Sequence, residues 1–278
     1  MFKEIAIDPA AVSTSYRDFI YIIEKFGLHE GRLIANFPSK WKRYVYQLAQ
    51  QNLGGTVALT KLEVRLRNLT EDTFYGRVRS GEGCAVNWLA AAIAENEREP
   101  FDAIIACQRV EGTAVIAAED LDGQHVCMLP NRQWNIQREA RMMASLCAPL
   151  LSRARHIKLI DPYFDPGLSR FQRPFREFLR YVRPGAKIEI FRADDQSERY
   201  IKQRIEQATQ GLLAAGVVVH LFLRPKADMH NRYILTESGG MYFNTGLDDQ
   251  GDGNLTMDDA GLLDPDLRMQ RWAEYTVR

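Results

Sequence analysis

The chain has no surplus of either charge: its 278 residues hold 36 Lys and Arg against 36 Asp and Glu, a formal net charge of zero. Net charge therefore names no partner, although a locally basic face would still attract phosphates, because electrostatics acts through the distribution of charge as well as its total. Long hydrophobic runs are also missing. No stretch approaches the roughly 20 apolar residues that span a bilayer, and the opening MFKEIAIDPA has no apolar segment of the kind a secretory signal carries. A cytoplasmic location is expected. Cysteine is scarce and scattered: Cys84, Cys107, Cys127 and Cys147 form no CxxC pair and stand at no zinc-finger spacing to a histidine. They read as reduced, buried thiols, and neither a metal site nor a cofactor is expected. Low-complexity tracts, coiled-coil heptads and solenoid periods are absent as well.

What remains is an ordinary globular composition, 46% apolar and 26% charged. The length suits one large or two moderate domains. From about residue 138 onward, apolar runs of strand length alternate with helical periodicity. Met143, Leu146, Cys147, Leu150 and Leu151 recur at helical spacing; HIKLIDPYF reads as a strand; Phe171, Phe175, Phe178, Leu179 and Val182 share one helix face, stopped by Pro184-Gly185. KIEIFRA and VVVHLFLRP are strands flanking a helix over residues 198 to 215, and HNRYILTE with GGMYFNTG forms a hairpin-like pair. In the first half EIAIDP, RLIANFP and FDAIIAC read as strands, and residues 16 to 26, 39 to 50 and 85 to 96 as helices. TKLEVRLRNL suits either state, since Leu62, Val64 and Leu66 alternate while Leu62, Leu66 and Leu69 keep helical spacing. Strands separated by helices predict an α/β layered sheet, with an N-terminal unit over 1–137 and a second over 138–278. EIAIDP and IKLIDPYFDP, each followed by an aromatic-rich helix, leave an old duplication or a shared turn chemistry open, the second being the simpler.

MHNRYILTESGG, residues 229 to 240, is the one constellation with chemical content. If residues 230 to 237 are a strand, His230, Arg232, Ile234 and Thr236 share one face. An imidazole beside a fixed cation can address a phosphoryl group, the ring attacking phosphorus while the guanidinium holds the oxygens. A carboxylate nearby would orient the ring. The bland reading is a core histidine beside a solvated arginine, and the residues alone favour it. HIK at 156 to 158 offers a second His-x-Lys, but Tyr163 stands where a carboxylate would be needed, so His156 and Lys158 read as structural. The tail LDDQGDGNLTMDD lacks EF-hand spacing and reads as a solvated loop.

The stretch resembles the signature of the phospholipase D superfamily, His-x-Lys followed after four further residues by Asp, with Arg232 at the lysine position and Glu237 at the aspartate position. HIKLIDPYFDP, the helices between, and GGMYFNTGLDD are similar to a subgroup that includes the C-terminal domain of MIT-domain proteins and uncharacterised bacterial proteins. There an arginine commonly follows the histidine by two and a Gly-Leu-Asp ends the next strand, here Gly246-Leu247-Asp248. The resemblance covers roughly residues 138 to 250. It implies a C-terminal phospholipase D-like layered sheet with helices on both faces, preceded by a second α/β unit. It implies His230, Arg232 and Glu237 as the catalytic set, with Asn231, Asn244 and Asp248 contacting substrate. Asp161, Tyr163 and Asp165 follow the end of the strand HIKLIDPYF, where α/β sheets place ligand-contacting loops, so Tyr163 and Asp161 are counted with the substrate contacts, although Asp-Pro turn chemistry suffices for Asp161 and Asp165. This chain departs from the pattern in Arg for Lys, Glu for Asp, and Asn244-Thr245-Gly246 where active members carry Gly-Ser-x-Asn.

Three functions follow from the resemblance. One is a metal-independent phosphodiesterase or nuclease, active as a homodimer that brings two copies of His230 together, in nucleic-acid processing or bacterial defence. Another is a non-catalytic module holding a phosphate of nucleic acid or lipid, its first half docking an operon-encoded protein partner. The third is a structural subunit with a decayed site. Nucleic acid is the expected partner and a phosphoinositide or membrane surface the lesser one. Were a monomer active, a second acid would be sought at His29 or His125.

Overall fold

The computed structural model describes residues 1–84, 86–122, 124–250 and 256–276. It divides into two compact units, Phe2–Asn131 and Arg132–Arg278, and both are α/β.

The N-terminal unit is built on five parallel strands: β1 (Lys3–Ile7), β2 (Arg32–Asn36), β3 (Phe74–Val78), β4 (Ala103–Ala106) and β5 (Val115–Ala117), in the order β3-β2-β1-β4-β5. Parallel neighbours need crossover connections; helices supply them between β1 and β2, β2 and β3, and β3 and β4, while residues 107–114 join β4 to β5 without a helix. The strand residues alternate between two apolar layers. Ile5, Ile7, Ile34 and Ile105 pack against α1 (Tyr16–Ile23), α2 (Trp41–Leu53) and α3 (Val57–Asn68). Ala6, Ala35, Ile104 and Ala106 pack against α4 (Trp88–Arg98). A sheet buried on both faces explains the continuous apolar runs Ile5–Ile7, Leu33–Ala35 and Ala103–Ala106 within β1, β2 and β4. TKLEVRLRNL lies in α3: Leu62 and Leu66 are buried while Val64 is 54% exposed, a division only the helical period produces.

The C-terminal unit carries a mixed seven-stranded sheet. Its strands are β6 (Gln133–Gln137), β7 (His156–Ile160), β8 (Lys187–Ala193), β9 (Val218–Arg224), β10 (Tyr233–Thr236), β11 (Gly240–Phe243) and β12 (Met257–Leu262), in the order β6-β12-β11-β10-β7-β8-β9. β7, β8 and β9 are parallel and joined by α6 (Ser169–Leu179) and α7 (Glu198–Thr209), while β10, β11, β12 and β6 run antiparallel to their neighbours. β10 is thus the central strand, paired on one side with β7. One face carries Ile160, Phe191, Tyr233 and Leu235 beneath Leu267, Trp272 and Tyr275 of the C-terminal helix α8 (Pro265–Glu274) and the residue after it. On the other lies α5 (Ala140–Leu151), whose Cys147 Sγ meets Met241 Sδ of β11 at 3.7 Å.

A unit boundary at 137/138 would cut off Gln133–Gln137, which is the edge strand β6 paired residue for residue with β12. With the edge strand β6 set aside, the two sheets share the placing of three successive parallel strands, β1, β2 and β3 or β7, β8 and β9, and the return of a fourth, β4 or β10, beside the first of them. That fourth strand is parallel in the N-terminal unit and antiparallel in the C-terminal one. The reason lies in the connections: α4 carries the chain back to the start of β4, whereas the segment from Arg224 to Tyr233 holds a single short turn and cannot make a parallel crossover.

Candidate functional site

Strand directions gather the candidate residues at one end of the C-terminal sheet. β7, β8 and β9 all finish there, so Asp161 and Tyr163, Asp194 and Asp195, and Lys226 follow at that edge. β10 is antiparallel to β7, with Tyr233 opposite Ile160, so the residues preceding it, His230 to Arg232, arrive at the same place. β11 reverses again and delivers Asn244 and Thr245. This is the carboxyl edge of the parallel strands, where open α/β sheets place their ligands.

His230 and Arg232 share a cleft of about 300 Å³ with Asn231, Tyr242 and Asn244. They do not share a strand face, as the strand reading required, because β10 begins only at Tyr233. The partner strand explains the shortening: β7 ends at Ile160 and is followed by Asp161-Pro162, and Pro162 has no N–H with which to extend the ladder. Phe243 N still donates to Arg232 O at 3.1 Å, so one side of the segment stays tied to β11. His230 is exposed and Arg232 half-buried. The Arg232 side chain donates from Nη1 to His230 O at 3.3 Å, while its buried Nε has no acceptor among the described residues. The guanidinium lies 5.6 Å from the Tyr163 ring centroid, and Lys226 Nζ stands 5.1 Å from the same ring. Tyr163 itself is 47% exposed. An exposed aromatic flanked by two cations is a surface on which a base can stack while its phosphate is neutralised.

Asp161 supports this edge from below and is not an open substrate contact. It is buried, and its two oxygens accept from Tyr163 N and Leu247 N, both at 2.8 Å. Burial pushes its carboxyl above the ordinary aspartate range, against the pull of those two amides and of Arg232. Gly246 makes the wrap possible. At its positive φ of 159°, an added Cβ would sit 2.6 Å from Asp248 Oδ1 and 3.3 Å from Asp161 Oδ2.

Two more of the expected site residues are placed elsewhere in role. Glu237 sits beyond the opposite end of β10 from His230, where its carboxylate accepts from Arg155 N at 2.6 Å and His156 N at 3.1 Å. It ties down the entry to β7 and does not orient His230; a strand carries the chain across the sheet at about 3.3 Å per residue, so positions 230 and 237 end on opposite edges. Asp248 is buried and paired with Arg138, whose Nε also donates to the Asp248 carbonyl at 3.0 Å, with Arg170 Nε at 3.7 Å. Its carboxylate anchors arginines and is not free for a ligand. The acid-rich tail is likewise no solvated loop where it is described: Asp249 accepts from Arg173 at 2.8 Å, buried Asp258 accepts from the Thr245 hydroxyl at 2.7 Å, and Met257–Leu262 is β12. Residues 251–255 of that tail lie outside the described residues.

Lys226, Arg138, Arg170 and Arg173 are the contributors that sequence reasoning missed. They reach the edge from a turn, a strand end and a helix, at separations no local motif spans. His156 and Lys158 are engaged under α8: His156 Nε2 stands 2.8 Å from Glu189, and Lys158 Nζ donates to Trp272 O and Tyr275 O at 3.1 and 2.9 Å. Among the described residues no group of three or more His, Cys, Asp or Glu is arranged to hold a metal ion, and no helix is long and apolar enough to cross a membrane.

No protein-family model matches the chain, and no curated protein matches it. Among solved structures it is similar to a polyphosphate kinase from Porphyromonas gingivalis, at 11% identity and a TM-score of 0.33, over 58% of this chain and 30% of that one. The chain therefore spans under a third of the length of that structure, and a likeness this distant adds nothing to what the site's own geometry supports.

Proposed function

We propose that the C-terminal unit binds a phosphodiester of nucleic acid at the edge formed by His230, Arg232 and Tyr163, in the cytoplasm, and that a pair of chains cleaves it without a metal. The observation that carries this reading is the convergence of an exposed imidazole, a guanidinium with an unsatisfied Nε and an exposed tyrosine flanked by two cations. Arg232 forks onto the phosphate oxygens, Lys226 adds a second positive charge, and a base stacks on Tyr163.

In the cleavage step an imidazole nitrogen of His230 attacks phosphorus, forming a P–N bond as the P–O bond to the leaving nucleoside breaks. The leaving oxygen takes a proton from the imidazolium of His230 in a second copy of the chain. Water then attacks phosphorus and gives its proton to that second imidazole, the P–N bond breaks, and both rings return to their starting states. One histidine per chain cannot serve as nucleophile and separately placed acid at once, so turnover requires a closed dimer. One specific observation favours binding without turnover: among the described residues no carboxylate bonds His230, and Glu237 is at the other end of β10.

The test is cleavage of labelled single-stranded and duplex DNA and RNA in EDTA, with oligomeric state measured by light scattering under the same conditions. Cleavage by a dimer, abolished in His230→Ala with an unchanged melting temperature, supports the nuclease. Binding without cleavage in both proteins leaves the phosphate-binding module. A protein that binds no nucleic acid, and that His230→Ala destabilises by several kcal/mol, would mean that His230 is a structural residue and that the functional reading is wrong.

A further inference from the structure

The N-terminal unit carries a feature that the phosphodiester site does not use. Its sheet order, β3-β2-β1-β4-β5, builds outward from β1 in one direction and then returns to β1's other side. At such a reversal the connections leaving two adjacent parallel strands diverge to opposite faces, and a crevice opens beyond their carboxyl ends. β1 is followed by Asp8 and β4 by Cys107, and a cavity of about 820 Å³ lies against both. Its size is within the roughly 300–1,000 Å³ of small-molecule sites.

The chemistry of the wall narrows the occupant. No Lys, Arg or His lines the cavity among the described residues, and Asp8 is its one charged group. A phosphate would find no counter-ion there and one repelling carboxylate. The flat rings of Tyr44 and Trp88 and the side-chain amides of Gln47, Gln51, Asn87 and Gln108 contribute instead. Trp88 is 9% exposed, and its indole N–H is buried without an acceptor among the described residues. A buried donor left unpaired is costly. Amide side chains match the donor and acceptor edge of adenine, aromatic rings stack on its face, and a carboxylate accepts from a ribose hydroxyl.

We infer that the N-terminal unit binds a phosphate-free purine nucleoside in the cavity between the carboxyl ends of β1 and β4, with Asp8 on the ribose. The full chain titrated with adenosine in a calorimeter should bind it, and adenosine should slow the alkylation of Cys107, the one exposed cysteine. AMP should bind on the order of ten-fold more weakly or worse, and Asp8→Asn should weaken adenosine while narrowing that gap. Gln51 is exposed on α2, so Gln51→Trp should fold normally by circular dichroism and fill the cavity, abolishing both the heat and the protection of Cys107. The inference is overturned if millimolar adenosine neither releases heat nor protects Cys107, or if AMP or free ribose binds as tightly as adenosine. It is equally overturned if a folded Gln51→Trp protein keeps wild-type affinity.

Discussion

Replacing Arg232 by alanine separates a phosphate-holding arginine from a structural one, because the two roles predict opposite balances of binding and stability. Within the protein the side chain makes modest contacts among the described residues: one hydrogen bond to His230 O at 3.3 Å, a cation–π contact at 5.6 Å with Tyr163, and an electrostatic attraction to the Asp161 carboxylate. Such contacts are worth about 0.5–1 kcal/mol each. Removing Nε orphans nothing, since it has no acceptor to lose. The variant should therefore unfold within about 1–2 kcal/mol of wild type. Binding should change more. A charge-assisted contact to a phosphate contributes about 1.5–3 kcal/mol, so the Kd for a single-stranded oligonucleotide should rise roughly ten- to hundred-fold. Loss of one phosphate contact should also reduce the slope of log K against log salt by about 0.7. Fluorescence anisotropy at several salt concentrations, beside thermal melts, reads both quantities. Arg232→Lys keeps the charge and loses the fork, and should fall between the two unless lysine restores turnover. An Arg232→Ala protein with unchanged Kd and salt slope but a melting temperature many degrees lower would refute the assignment.

Four further outcomes follow from the same geometry. Asp161→Asn can accept only one of the two amides that Asp161 now satisfies, so it should cost about 1–3 kcal/mol and loosen the Gly246-Leu247 wrap, seen as faster hydrogen exchange at Leu247. The raised pKa of Asp161 means that the folded protein holds this proton more tightly than the unfolded chain. Its contribution is thus greatest below about pH 4, the unfolded aspartate value, and is lost as pH rises through the folded one; denaturant melts of wild type and Asp161→Asn across that window should differ in slope. Glu237→Ala should lower stability by roughly 1 kcal/mol through the uncapped amides of Arg155 and His156 while leaving nucleic-acid binding unchanged, and a loss of binding with unaltered melting would return Glu237 to the site. Arg138→Met should be severe, about 3–5 kcal/mol by chemical denaturation, since it strands the buried Asp248 carboxylate with only Arg170 at 3.7 Å.

The sequence by itself determined the α/β class and most of the elements, because strand and helix are written in local periodicity that a short window contains. Ile5 and Ile7, or Phe171, Phe175 and Phe178, declare their states without knowledge of any partner. It also singled out His230 and Arg232, two residues apart and so bound to remain neighbours. Tertiary structure decided what depended on pairing. Gln133–Gln137, with one buried residue in five, becomes a strand because β12 offers it a hydrogen-bonding edge. TKLEVRLRNL becomes a helix because Leu62 and Leu66 are drawn into the core together. β10 starts three residues after His230 because Pro162, some seventy positions earlier, ends the neighbouring strand. Glu237 keeps the motif's spacing and yet leaves the site, since a strand separates the two ends of any motif that runs along it. Arg138 and Asp248, or Lys226 and Tyr163, meet only through the order in which strands are laid side by side, and that order is set by burial summed over the whole unit, a quantity no local stretch of sequence contains.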